Sequence, residues 1–238
     1  MRPRPPVLVS AHRCGAGSDR ELENTLTALD GALALGVDFV EFDVQRCADG
    51  TFVLHHDDHL VVDGEQVALS EVSYDVLVGA AGHLLRYDEV LVALRGRARA
   101  HIDLKFTSPA GLYERAASTY EVAATAQAVE VLGADQLIVT TLDDRAVRAV
   151  RDWSDTLDEE VLVGLSLGRG LRGLPWHRQL GIRLSELRPH LRYRASRANL
   201  VVAKHTLARL GVAAFARRRG LPLLVWTVDT ESSLRYWM

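Results

Sequence analysis

The 238-residue sequence is poor in cysteine: Cys14 and Cys47 fall in no metal-binding or redox spacing. Two thiols do not make a disulfide scaffold, so the chain must fold on a hydrophobic core, with a reducing compartment as the default setting. No apolar run approaches the roughly 18 residues of a membrane span. The basic start "MRPRPPVLVSAHR" carries only "VLV" as an apolar stretch, too short for a signal peptide. Together these absences predict a cytoplasmic protein without a transmembrane segment. Charge of one sign is also missing, since 28 Lys and Arg against 31 Asp and Glu leave −3. That balance gives no bulk footprint for nucleic acid. Internal repeats and low-complexity linkers are lacking, so residues 1–238 are expected to form a single domain.

What is present is a succession of short apolar runs and helical patterns. Strands are predicted at 7–11, 37–44, 98–105, 136–141, 161–167, 199–204 and 221–228. Helix-like segments lie between them, at 23–36, 113–133, 142–153 and 206–220, with Gly36 and Gly133 as C-terminal stops. Repeated strand–helix units point to a parallel sheet with helices outside, and at this length to a TIM-type β/α barrel. After the second strand the alternation breaks, because Asp49-Gly50 lies between two β-type runs and signals a hairpin. Residues 57–97 then form an elaboration with two short helical patterns. Only seven parallel strands can be counted, so the barrel is expected to lack its last strand.

The hairpin carries the chemistry. In "VEFDVQRCADGTFVLHHDD" (40–58), Glu41 and Asp43 share one face of a strand, and Val40, Phe42 and Val44 take the other. If the apolar face packs on helices, the acids line the barrel mouth, where a hard divalent cation, Mg²⁺ or Ca²⁺, would relieve their repulsion. Counting back around Asp49-Gly50 brings His56 opposite Asp43, and a shift of one residue in register would place His55 there instead. "HIDLK" puts His101, Asp103 and Lys105 on one face, and His12-Arg13 ends the first strand. Carboxylates, imidazoles and cations collected at the C-terminal ends of barrel strands suit phosphoester cleavage.

At these residues the sequence resembles the glycerophosphodiester phosphodiesterase family. The matching motifs are "AHR" (11–13), "ENTL" (23–26), "EFDV" (41–44), "ADGTFVLHHDD" (48–58), "HIDLK" (101–105) and "VWTVD" (225–229), in the family's order. The resemblance implies a β/α barrel that uses one divalent cation to hydrolyse a small-molecule phosphodiester, releasing glycerol 3-phosphate and an alcohol. It implies Glu41, Asp43 and Asp103 as metal ligands, and His12 and His56 as the acid–base pair. It further implies Arg13 and Lys105 on the phosphate, Trp226 in the wall and Glu23 in support. A neighbouring substrate hydroxyl would attack phosphorus, and water would open the resulting cyclic phosphate.

Three features depart from the family pattern: Cys14 where Gly is usual, Asp103 where Glu is usual, and a chain that ends soon after "VWTVD". Two alternative functions accompany them: lysophospholipase D-like cleavage by the same site, or a catalytically weak shortened barrel that binds phosphorylated ligands. His55 and His59 read as exposed flanks of His56. The basic run at 188–197 reads as a solvated face or loop, with docking at anionic membrane surfaces as the lesser alternative.

Overall fold

The structure, a computed structural model, describes residues 7–62, 64–81, 84–168, 170, 175–187 and 189–238. Its strands are β1 (Ser10–Ala11), β2 (Phe39–Arg46), β3 (Phe52–Leu54), β4 (His59–Val62), β5 (Glu65–Ala68), β6 (Arg99–Leu104), β7 (Leu137–Thr141), β8 (Leu162–Leu167), β9 (Leu200–Lys204) and β10 (Leu223–Trp226). The helices are α1 (Leu26–Leu35), α2 (Tyr74–Ala81), α3 (Tyr87–Leu94), α4 (Tyr120–Leu132), α5 (Asp144–Ser154), α6 (Trp176–Leu187), α7 (His190–Ser196), α8 (His205–Leu207), α9 (Ala213–Arg219) and α10 (Glu231–Trp237).

Seven strands run parallel in the order β1-β2-β6-β7-β8-β9-β10, and β3 pairs antiparallel with β2. This is the curled sheet of a TIM-type barrel. Among the described residues β1 and β10 are its two edges. Among the described residues the parallel strands number seven, and the hairpin after the second forms as the sequence predicts. Only the end of the 7–11 run pairs, however, and Val7, Leu8 and Val9 stay about half exposed. Val9 is nonetheless tied to the neighbouring strand: its carbonyl accepts Phe39 N at 3.0 Å and its N–H donates to Asp38 Oδ2 at 2.8 Å.

Alternation along each strand sorts the side chains. Val40, Phe42 and Val44 of β2, Ile102 of β6 and Val139 of β7 are fully buried under the surrounding helices. The opposite face turns inward, where Phe39, Ile138, Leu200 and Val202 form the floor of the barrel, with Leu162, Leu224 and Trp226 packed against them. Polar residues of the same inward rows, Glu41, Asp43, His101, Asp103 and Thr140, sit above that floor, towards the C-terminal ends.

The helix starts follow local chemistry. Thr25, Thr119 and Asp143 cap α1, α4 and α5 by accepting backbone N–H groups through their side-chain oxygens. Gly36 closes α1 in the left-handed conformation. The helix predicted at 113–133 begins only at Tyr120, because Thr119 as cap holds extended dihedrals and two short 3₁₀ turns precede it. The segment predicted as one helix at 206–220 is interrupted by a π-turn at Ala208–Val212, where Gly211 has φ 131°. The elaboration carries, besides its helices, the β4–β5 hairpin and a small core of its own around Cys47, Val53, Leu60, Leu69, Leu77 and Leu84. In the basic run 188–197, read as a solvated face or loop, residues His190–Ser196 form α7, a helix exposed at His190, Leu191, Arg194 and Ala195. Tyr193 is buried there, and its hydroxyl donates to Leu165 O at 2.8 Å.

Candidate active site

The Asp49-Gly50 turn forms as expected: Asp49 Oδ1 accepts Thr51 N at 3.0 Å, and Gly50 has φ 92°. The ladder pairs Val44 with Leu54, and His55 N donates to Asp43 O at 3.0 Å. His55, rather than His56, therefore lies across from Asp43, one residue away from the predicted register. His56 follows it, with its side chain 35% exposed. Its Nδ1 is 2.7 Å from Asp57 Oδ1, an arrangement that leaves Nε2 free. Against the upward push of burial, the hydrogen bond and charge of His56 hold the Asp57 carboxyl below its usual value. Gln45 supports the loop from below, donating to Asp57 O at 3.0 Å.

Glu41, Asp43 and Asp103 converge. One carboxylate oxygen of each lies within 4.8 Å of the others. Glu41 and Asp43 are buried, and Asp103 is 21% exposed at the side chain. Register explains the cluster, since β2 and β6 pair Asp43 with Asp103 and Glu41 with His101. The shorter Asp103 thus still reaches its partners. Burial, then the charges of Asp43 and Asp103, raise the Glu41 carboxyl well above its usual range, opposed by the Arg13 amide and Lys105. Asp43 goes the other way: burial would raise it, but Lys105 and Asn24 together bring it below 3.8.

Two cations complete the group. Lys105 Nζ lies 2.9 Å from Asp43 Oδ1 and 2.5 Å from Asp103 Oδ2. Arg13 donates its backbone N–H to Glu41 Oε2 at 2.6 Å, and its side chain pairs with Glu23 and reaches within 3.5 Å of Asp43. Arg13 and Cys14 both adopt positive φ, at 50° and 61°. That tight turn after β1 points the Arg13 amide at Glu41, and the buried Cys14 thiol, held well above its usual range by burial, fits where the family has glycine. His12 Nε2 is 3.9 Å from Glu41 Oε2. Burial, and next the Arg13 guanidinium, hold the His12 imidazole below 6.5.

Of the predicted site residues, His12, Arg13, Glu23, Glu41, Asp43, Asp103 and Lys105 form one connected group, with His56 on the loop that follows β3. Trp226 ends β10 and packs half-buried on the barrel floor.

The structure adds residues not singled out in the sequence. Asn24, at φ 57°, donates Nδ2 to Asp43 Oδ2 at 3.0 Å and accepts Asp43 N on Oδ1 at 3.2 Å. Its place in "ENTL" is the signal that could have found it. Thr140 Oγ1 donates to Asp103 Oδ1 at 2.7 Å. With its proton committed there, Thr140 accepts from His101 Nε2 at 3.1 Å, and His101 Nδ1 in turn accepts from Ser10 Oγ at 3.1 Å. That chain requires neutral His101, consistent with burial pushing the imidazole down to about 3. Asp57 was legible only as part of "HHDD".

The carboxylate set suits a hard cation. The buried Asp43 Oδ1 accepts no well-directed hydrogen bond although Lys105 lies beside it. Oxygens up to 4.8 Å apart match what one ion with ligands at about 2.3–2.6 Å spans, and a smaller ion at about 2.0–2.1 Å needs them slightly closer.

Comparison with known proteins agrees with this fold. A structure of a glycerophosphodiester phosphodiesterase from Agrobacterium tumefaciens superposes with a TM-score of 0.68 at 18% identity, covering 98% of this chain and 92% of that one. A phosphodiesterase from Oleispira antarctica, solved with the product sn-glycerol-3-phosphate, gives 0.68 at 18% identity over 97% and 89%. At such identities the likeness is one of fold. A lysophospholipase D of Mus musculus is 43% identical over 55 residues, which span 23% of this chain and 16% of that protein. The model of the glycerophosphoryl diester phosphodiesterase family matches residues 12–238. With nearly the whole chain matched, the protein belongs to that family and is an enzyme of the phosphodiesterase class.

Proposed function

We propose that the enzyme hydrolyses glycerophosphodiesters to glycerol 3-phosphate and an alcohol with the help of one divalent cation, Mg²⁺ or Ca²⁺. The observation that carries this reading is the convergence of Glu41, Asp43 and Asp103 beside two cationic side chains at the mouth of the barrel. Those three carboxylates would hold the ion, which when bound would draw charge from a phosphoryl oxygen. Arg13 and Lys105 would hold the remaining phosphate oxygens, with Glu23 orienting the guanidinium and Trp226 lining the wall. His12, kept below 6.5 and therefore neutral near pH 7, takes the proton of the substrate hydroxyl that attacks phosphorus. His56, braced by Asp57, presents Nε2 to the departing oxygen as the other member of the pair. The same two groups serve in reverse when water opens the cyclic phosphate.

The test is release of glycerol 3-phosphate from glycerophosphocholine, with Mg²⁺, with Ca²⁺ and in EDTA. Cation-dependent release is expected. Binding of metal and phosphate with no turnover in any of the three would favour the catalytically weak barrel. The local match to a lysophospholipase D favours a second reading, headgroup release from lysophospholipids by the same residues. Parallel assays on lysophosphatidylcholine decide between the two.

A further inference from the structure

The net charge of −3 hides a strong asymmetry. Residues 161–220 contain 13 Lys and Arg but one acid, Glu186, and the rest of the chain holds 15 Lys and Arg against 30 Asp and Glu. One continuous stretch is thus near +12 and the remainder near −15. Its one acid does not reach the surface: Glu186 is 1% exposed, accepts Gly168 N at 2.8 Å and pairs with Arg183.

That bond to Gly168 fixes α6 at the mouth end of β8. The side of α6 bearing Ile182, Ser185 and Glu186 faces a cavity shared with Ser166, Asp144 and Arg192. The other side is an apolar stripe in water. Trp176, Leu180 and Leu184, four residues apart, are 76%, 53% and 51% exposed. Leu210, 71% exposed, lies in the π-turn after β9 that touches α6. Exposed cations lie on the segment that touches α6: Arg209 beside Leu210, and Lys204 at the end of β9. Scattered exposed apolar residues need no explanation, but a stripe of this kind beside exposed cations does.

We infer that this face docks on an anionic lipid–water interface. A helix with tryptophan and leucine on one side and a cationic surround suits the boundary between headgroups and acyl chains. A second copy of the chain fits badly, because a two-fold contact would set the +12 segment against itself. A nucleic acid would engage the cations and leave the stripe in water. Because α6 is held at the mouth end of β8, docking would bring that end of the barrel, which carries the candidate site, to the lipid surface. The proposal rests on the phosphodiesterase reading only for what docking would deliver, a phosphodiester headgroup held in a membrane.

The experiment is co-sedimentation of the full chain with phosphatidylcholine vesicles, with and without phosphatidylserine, at low and high salt. Phosphatidylserine should raise partitioning about tenfold or more, and salt should reverse the gain. The variant Trp176→Ser/Leu180→Ser/Leu184→Ser should lose about tenfold in vesicle binding, with thermal unfolding and hydrolysis of water-soluble glycerophosphocholine unchanged. Lys204→Glu/Arg209→Glu should weaken binding only where phosphatidylserine is present. Equal binding by wild type and the stripe variant, or no preference for phosphatidylserine, overturns the inference. So does a concentration-dependent dimer that the stripe variant abolishes. Vesicle binding as expected with no diesterase activity in either protein upholds docking and removes the phosphodiesterase reading.

Discussion

Lys105→Met removes an ammonium that lies 2.9 Å from Asp43 Oδ1 and 2.5 Å from Asp103 Oδ2. At an effective dielectric near 20 each attraction is about 6 kcal/mol, most of it offset by the cost of taking the charges out of water. Methionine keeps the length and the apolar stem. What the substitution leaves behind is a buried Asp43 without its main counter-charge, and removing one partner of a buried pair costs about 3–5 kcal/mol. The pH dependence gives the sharper test. In the parent protein Asp43 titrates below 3.8, so its stabilising contribution is present above that value and lost as pH falls through the folded one. Lys105, lifted above 10.5 by Asp103 and Asp43 against the effect of burial, contributes fully at neutral pH and loses that contribution only in strong alkali. Without Lys105, burial dominates and Asp43 moves above 3.8. The folded state then prefers the protonated acid, and the variant loses stability as pH rises. Urea unfolding of both proteins in metal-free buffer should show a small deficit near pH 4, growing to about 3–5 kcal/mol near pH 7. Added Mg²⁺ or Ca²⁺ should narrow it. A deficit under about 1 kcal/mol at pH 7, or one that ignores pH, would refute the reasoning.

Three further outcomes are expected. His56→Ala should abolish diesterase turnover while metal affinity stays nearly unchanged; preserved turnover would take His56 out of the mechanism. Glu41→Gln should weaken the cation at least tenfold by calorimetry, and an unaltered isotherm would remove Glu41 from the ligand set. Gly164→Ala tests the barrel floor: an added Cβ would lie 2.4 Å from Val202 Cγ2 and 3.1 Å from Leu200 Cδ2. Overpacking of this kind should cost about 1–3 kcal/mol in thermal or urea unfolding, and an unchanged midpoint would mean that the floor gives way freely.

Much of this molecule was legible in its sequence where the physics is local. All seven parallel strands lie within the apolar runs that announced them, apart from small shifts at their ends, because buried strands need continuous apolar or alternating residues. The separation of Glu41 and Asp43 from Val40, Phe42 and Val44 followed from the two-residue period alone. What escaped depends on partners distant in sequence. Asn24 is bound to Asp43, 19 residues away, and Thr140 to Asp103, 37 residues away; no spacing rule links those pairs. The hairpin register missed by one residue because an Asp-Gly signal marks a turn without fixing its loop length. The β4–β5 hairpin had its own signal in "HLVVDGEQVA", an Asp-Gly pair between β-type runs. The stripe on α6 also obeys helical spacing, but reading it needed the knowledge that Trp176, Leu180 and Leu184 stay exposed in the fold.

The β2–β3 hairpin has a consequence in time. The connection between its strands, residues 47–51, is only five residues long, and a loop of about ten residues closes in roughly 10–100 ns. Contact between Glu41 and Asp103 must bridge a far longer segment, elaboration included, before β2 and β6 can pair. Half of the site is therefore a local event and the other half a tertiary one. In pulse-labelled refolding, amides of β2 and β3 that face each other should gain protection ahead of those between β6 and β7. The imidazole and the first two carboxylates would then travel together on one arm of chain, and the rest of the barrel would assemble around them.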